Sequence, residues 1–262
     1  MRALSLLTLA WLLLGVVSPA HAQTPEVTAN RSDVIRLLGE IPNFTVIRQE
    51  YEALGYSGEK LDLAVEQAGL LYRDPVLAGY LADRLIAAYQ SPESVDRNSG
   101  GLVIGLIRRG LGHLSTRELR YYYRVEQIML QSLPERTCGR AVRDRLPPEK
   151  FSELITRLAA GFNVASLREY YRVQAKAARF GATRDPVLLS PAKSVEVENR
   201  VNGRLSEKIA ESENARALRS AIGNLERAGN RQACQIGRLF METVMELEGR
   251  ALRETLIYMS LP

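Results

Sequence analysis

Ser115-Thr116-Arg117-Glu118-Leu119-Arg120-Tyr121-Tyr122-Tyr123-Arg124-Val125 is the stretch that decides the fold class. Ser115 followed three positions later by Glu118 is a capping box. The hydroxyl takes the amide at the third helical position, and the carboxylate returns to the amide of the cap. The pattern predicts a helix over Leu119 to Leu133. Leu167-Arg168-Glu169-Tyr170-Tyr171-Arg172-Val173 repeats the Leu119–Val125 motif at an offset of 48, with six of seven positions identical. Helical arrays need at least three such units to build a continuous core, and only two are found. The echo is therefore read as chance in an arginine-rich helical chain, with duplication as the alternative.

The same punctuation runs outward in both directions. Asn30 to Asp33 precedes an apolar periodicity at Val34, Ile35, Leu37 and Leu38. Pro42 opens a segment to Leu54, closed by Gly55. Ser57 opens another through Leu71. Asp74-Pro75 is a cap followed by proline at the first helical position, where its missing amide costs nothing. Pro147-Pro148 opens Glu149 to Ala160, and Asn163 opens a helix to about Phe180. Strand signals are scarce, so the expected class is all-α: a multi-helix bundle. A thin apolar line through a polar 193–228 predicts a long polar helix or helical hairpin, with a projecting arm as one outcome. Gln232 to Met259 is apolar over a wide arc and reads as one buried C-terminal helix. Gly181 to Pro191 is the best candidate sub-boundary within a single helical domain, 23–262.

Met1 to Ala22 reads as a secretory signal. Met1-Arg2 is positive, Leu4 to Val17 is apolar, and Ala20-His21-Ala22 fits the small-x-small cleavage rule. Cleavage after Ala22 leaves Gln23–Pro262, with 34 basic and 30 acidic side chains. The expected location is periplasmic or secreted. Export makes the only two cysteines, Cys138 and Cys234, a disulfide pair. Neither lies in a C-x-x-C motif, so redox catalysis is not expected.

Several chemistries are excluded by what is missing. With His21 removed, His113 is the sole histidine, so no two-histidine zinc motif exists, and His113 reads as a turn residue. No phosphate-binding loop and no nucleophile elbow are present. Ser57-x-x-Lys60 and Ser190-x-x-Lys193 lack the accompanying Lys-Thr-Gly. No metal or cofactor is expected. Glu242 and Glu246 share a helix face. They are the weak candidates for a glycan-acting hydrolase or lyase, which needs one carboxyl raised in an apolar cleft. The i,i+4 ladder Arg238, Glu242, Glu246, Arg250, Glu254 reads instead as a paired, solvated face.

Thirty of the 35 basic residues are arginine. Arg120 and Arg124 on one helix, and Arg168 and Arg172 on another, lie beside Tyr123 and Tyr171. Guanidinium forks grip phosphate or carboxylate, and tyrosine adds a stacking surface. The alternative is that the tyrosines pack inward and the arginines pair with Glu118, Glu126 and Glu169. The expected function is an exported adaptor, inhibitor or immunity-type binding protein without catalysis. Its partner would be an envelope or secreted protein, or an anionic lipid or glycan. A modest net charge and export disfavour nucleic acid. Gly101 to Gly112, apolar and ending near Arg108-Arg109, is read as a core helix whose glycines allow close approach, with membrane-surface contact as the alternative.

Overall fold

A computed structural model describes residues 30–90 and 99–261; the signal segment and its cleavage site lie outside them. Among the described residues there are thirteen α-helices and no strand, so the protein is an all-α, multi-helix fold. They are α1 (Arg31–Glu40), α2 (Thr45–Ala53), α3 (Gly58–Tyr72), α4 (Pro75–Gln90), α5 (Ser99–Leu111), α6 (Thr116–Ser132) and α7 (Glu135–Val142). Then follow α8 (Pro148–Ala159), α9 (Val164–Thr183), α10 (Pro191–Glu211), α11 (Ala215–Ile222), α12 (Asn230–Met245) and α13 (Gly249–Met259). Short 3-10 turns at Ile41–Asn43 and Leu225–Arg227 join α1 to α2 and α11 to α12. The capping box at Ser115 and Glu118 forms as its residue types dictate.

The largest apolar cluster draws Leu77, Leu106, Leu111, Leu119 and Val173 together with Val197, Val201, Val244, Leu252 and Leu256. It therefore takes residues from both sides of the 181–191 segment. Two expectations need correction. The apolar stretch from Gln232 to Met259 is two helices: α12 stops at Met245, and Gly249 starts α13 with a φ of 54°. That left-handed conformation is one a glycine adopts without strain, so the chain turns and buries both apolar faces against other helices. The charge ladder is broken with it. Arg250 and Glu254 still pair at 2.7 Å, but Glu246 turns to Lys208 at 2.7 Å. Nor does α10 project as an arm. Val197, Val201, Leu205 and Ile209 are buried against the C-terminal helices, and the helix ends at Glu211 before the short α11.

The glycine-rich stretch is a packed helix. A Cβ on Gly110 would sit 1.8 Å from the carbonyl oxygen of Ala177, and one on Gly181 would sit 2.0 Å from that of Leu106. Backbone thus meets backbone where α5 crosses α9. The motif echo is also geometric. Ser115 and Asn163 stand at equivalent places in the two copies, and each caps a helix by accepting the amide three positions on. The preceding turns match at the same offset: Leu114 N donates to Leu111 O, and Phe162 N donates to Ala159 O, each at 3.0 Å. The rings of the equivalent Tyr122 and Tyr170 stack on each other at 5.9 Å.

Candidate functional site

The arginines of α9 emerge on one face, as helical spacing requires, but each meets a carboxylate. Arg168 pairs with Glu59 at 2.9 Å, and Arg172 with Glu169 at 2.7 Å and Glu118 at 3.1 Å. Lys176 pairs with Glu118 at 2.8 Å, and Arg179 with Asp74 at 3.5 Å. The row is therefore a seam that ties α9 to α3, α4 and α6. Glu118 is its centre. Burial alone would push its carboxyl up, but hydrogen bonds from Lys176, Ser115 and Arg172 hold it down at about 2. On α6, Arg124 donates to Gln127 at 2.8 Å and Arg120 reaches the Met245 carbonyl at 3.4 Å.

The tyrosines expected to supply a stacking surface point inward. Tyr123 is 7% exposed and Tyr171 8%. The Tyr171 hydroxyl donates to that of Tyr56, which in turn donates to the Thr156 carbonyl, both at 2.9 Å. In both motif copies the leucine, the second and third aromatic-run positions and the valine face the core, leaving the arginines outside. Helical periodicity makes this inevitable once Leu119 and Leu167 are fully buried. Arg120, Tyr123, Arg124, Arg168, Tyr171 and Arg172 are thus not one open Arg/Tyr surface.

Glu246 is exposed at the end of α12 and bound to Lys208, and neither it nor Glu242 lines the two depressions beside the disulfide. His113 sits in its turn with Nε2 2.8 Å from the Asp185 carbonyl oxygen. Among the described residues no group of three His, Cys, Asp or Glu side chains could hold a metal ion. No described helix is long and apolar enough to cross a membrane.

The cavities lie elsewhere, around the disulfide. Cys138 on α7 and Cys234 on α12 are bonded, with their Cα atoms 5.1 Å apart, and are wholly buried. A depression of about 260 Å³ beside the bond is lined by Glu135, Asn214, Arg231, Cys234, Gln235 and Arg238. A second, of about 170 Å³, continues it past Ala217 and Gln232, sharing Asn214, Arg231 and Gln235. Together they form a trough over α12, between the starts of α7 and α11, whose lining side chains are mainly polar.

The chain around this trough is unlike the rest in charge. Segments 134–147 and 213–238 hold nine arginines, no lysine and four carboxylates. The remainder of the chain carries 26 basic and 26 acidic side chains, so the net charge of +5 resides in these two segments. Four of these nine guanidiniums go to backbone carbonyls, which hydrogen-bond without cancelling the charge. Arg143 donates to Gly139 O at 3.0 Å and Ala228 O at 2.6 Å, and also to the Asn230 side chain. Arg145 donates to Glu226 O at 2.5 Å, and Arg140 to Arg145 O at 3.1 Å. Arg238 closes the C-terminus of α6 through Gln131 O at 3.0 Å and Leu133 O at 2.8 Å, meeting orphan carbonyls at the negative end of a helix. Among the described residues the only ion pair here is Arg231 with Glu135, at 3.5 Å and on the surface.

Sequence reading missed this end because its two segments are far apart in the chain, and no single helix shows the excess. The available signal was the cysteine pair. Once Cys138 and Cys234 are joined, Arg136, Arg140, Arg231 and Arg238 become neighbours of one bond. Compared with family models, curated proteins and solved structures, the chain matches none.

Proposed function

We propose that this chain is an exported helical binding protein, of adaptor, inhibitor or immunity type, that recognises an envelope or secreted protein and performs no catalysis. The observation that carries this reading is the contrast in charge compensation. Along α9 each cation is paired with a carboxylate within the fold, whereas at the disulfide end Arg140, Arg143, Arg145 and Arg238 meet carbonyls with their charge intact, and among the described residues there only Arg231 is ion-paired. A fold that concentrates its whole net charge at one end keeps a steering field there for an oppositely charged partner. The contact surface is therefore moved from the α6 and α9 arginines to Arg136, Arg140, Arg145 and Arg231. Export is supported by the signal-like Met1–Ala22 and by a disulfide, a bond that persists in oxidising compartments.

The test is affinity recovery of the oxidised protein from extracts of its native envelope, eluted in a salt series, with proteins, lipids and glycans identified by mass spectrometry. One stoichiometric protein released at modest salt is the expected result. Accumulating sugar or peptide fragments with no retained partner would refute it.

A further inference from the structure

The trough and its arginines restrict what the partner presents, and this inference rests on the binding reading above. Three features select among anionic ligands. First, the cations are all guanidiniums, which grip carboxylates and phosphates through two parallel hydrogen bonds. Second, segments 134–147 and 213–238 contain no Phe, Tyr, Trp or His, so there is no ring on which a sugar face could stack. Third, the end is poor in apolar anchors. Of the large apolar side chains exposed among the described residues, only Ile222 belongs to it; Leu37, Leu70, Ile104, Ile128, Leu188 and Val195 lie on other elements. A peripheral membrane surface normally pairs its cations with apolar groups that enter the acyl boundary.

What the trough does offer is a run of side-chain amides. Asn214, Gln232 and Gln235 line it, flanked by Arg231 and Arg238. Primary amides both donate and accept, which is what an extended peptide backbone needs on either edge. We propose that the trough over α12 seats an extended acidic segment of a protein partner. Its backbone would lie along Asn214, Gln232 and Gln235, and its carboxylates would reach Arg231 and the exposed arginines of α7. Glu135 is the opposing group: it occupies Arg231 in the free protein and must yield it when the segment arrives.

The experiment uses the oxidised protein and a fluorescent deca-glutamate peptide, read by anisotropy at low and at near-physiological salt. Mixed vesicles of phosphatidylcholine and phosphatidylglycerol, and inorganic polyphosphate, are run beside it. The peptide is expected to bind at low salt and weaken about tenfold or more at the higher salt. Joint Arg136→Glu, Arg140→Glu and Arg231→Glu substitution is expected to abolish binding, with helix content by circular dichroism unchanged. Glu135→Gln, a surface change that frees Arg231, is expected to tighten binding about twofold to fivefold. Absence of peptide binding, equal binding by the triple variant, or no gain from Glu135→Gln overturns the proposal. So does capture of vesicles or polyphosphate in preference to peptide. If an envelope protein is recovered while deca-glutamate fails, the acidic-segment inference falls and the binding reading stands. If neither is retained, both fall.

Discussion

Replacing Glu118 with glutamine tests whether the α9 arginine row is a seam of the fold. Glutamine keeps the size and can still close the capping box, but it removes the charge and one of the two oxygens that accept from Arg172, Lys176 and Ser115. In the native protein the carboxyl is held at about 2 against an ordinary 4.5, a fall of about 2.5. At about 1.4 kcal/mol for each tenfold change in proton affinity, that corresponds to about 3 kcal/mol at neutral pH. The Arg172 and Lys176 side chains are 49% and 42% exposed, so water and salt screen part of it, and we expect a loss of about 2 kcal/mol. The sign follows from linkage. A carboxyl held below its unfolded value stabilises the fold above about pH 4.5, and that contribution disappears as pH falls toward 2. Urea titrations of both proteins at several pH values from neutral into acid should give curves that are far apart at pH 7 and converge at the acid end. A chain of this size would also lose about 4–8 °C in Tm at pH 7. Equal stability at pH 7, or a gap that does not narrow in acid, would refute the reasoning.

Gly110→Ala should destabilise the protein by about 3 kcal/mol or more, because its Cβ would lie 1.8 Å from backbone. Gly203→Ala, at an exposed α10 position with nothing within 4 Å, should stabilise it by about 0.5–1 kcal/mol; chemical denaturation of the two reads both. Joint Cys138→Ser and Cys234→Ser substitution opens a loop of sequence separation 96 and should cost about 3–5 kcal/mol, measured against the oxidised parent. Burial raises the Glu126 carboxyl, with Tyr122 and Tyr170 hydrogen bonds opposing. Its favourable contribution is thus complete at low pH and lost as pH rises through the folded-state value. Glu126→Gln should therefore raise Tm at pH 7 and converge with the parent in acid, and a lowered Tm at pH 7 would contradict this.

The all-α class was legible because caps are local: Ser115 with Glu118, Asp74-Pro75 and Asn163 each commit a helix start within a single turn. The inward turn of Tyr123 and Tyr171 was open to the same periodicity, but sequence reading set it second to an Arg/Tyr surface. The turn that splits α12 from α13 was not legible. Leu247 and Leu252 continue the apolar arc across it, and Gly249 alone carries the signal. The α9 arginines illustrate a second limit. Spacing places Arg168, Arg172, Lys176 and Arg179 on one face, but Glu59, Asp74 and Glu118, which help neutralise them, come from outside that helix. Tertiary proximity also created the opposite case, since Arg136 and Arg231 share a surface only because α7 packs on α12, backbone to backbone at Gly139 and bonded at Cys138–Cys234.

The most direct measurement compares two charge-reversed proteins for retention of the recovered envelope partner. One carries Arg136→Glu, Arg140→Glu and Arg231→Glu, and the other carries Arg120→Glu and Arg168→Glu. Loss of the partner by the first and retention by the second is the predicted result. Retention by the first with loss by the second, both folded, would return the contact surface to α6 and α9 and contradict the account.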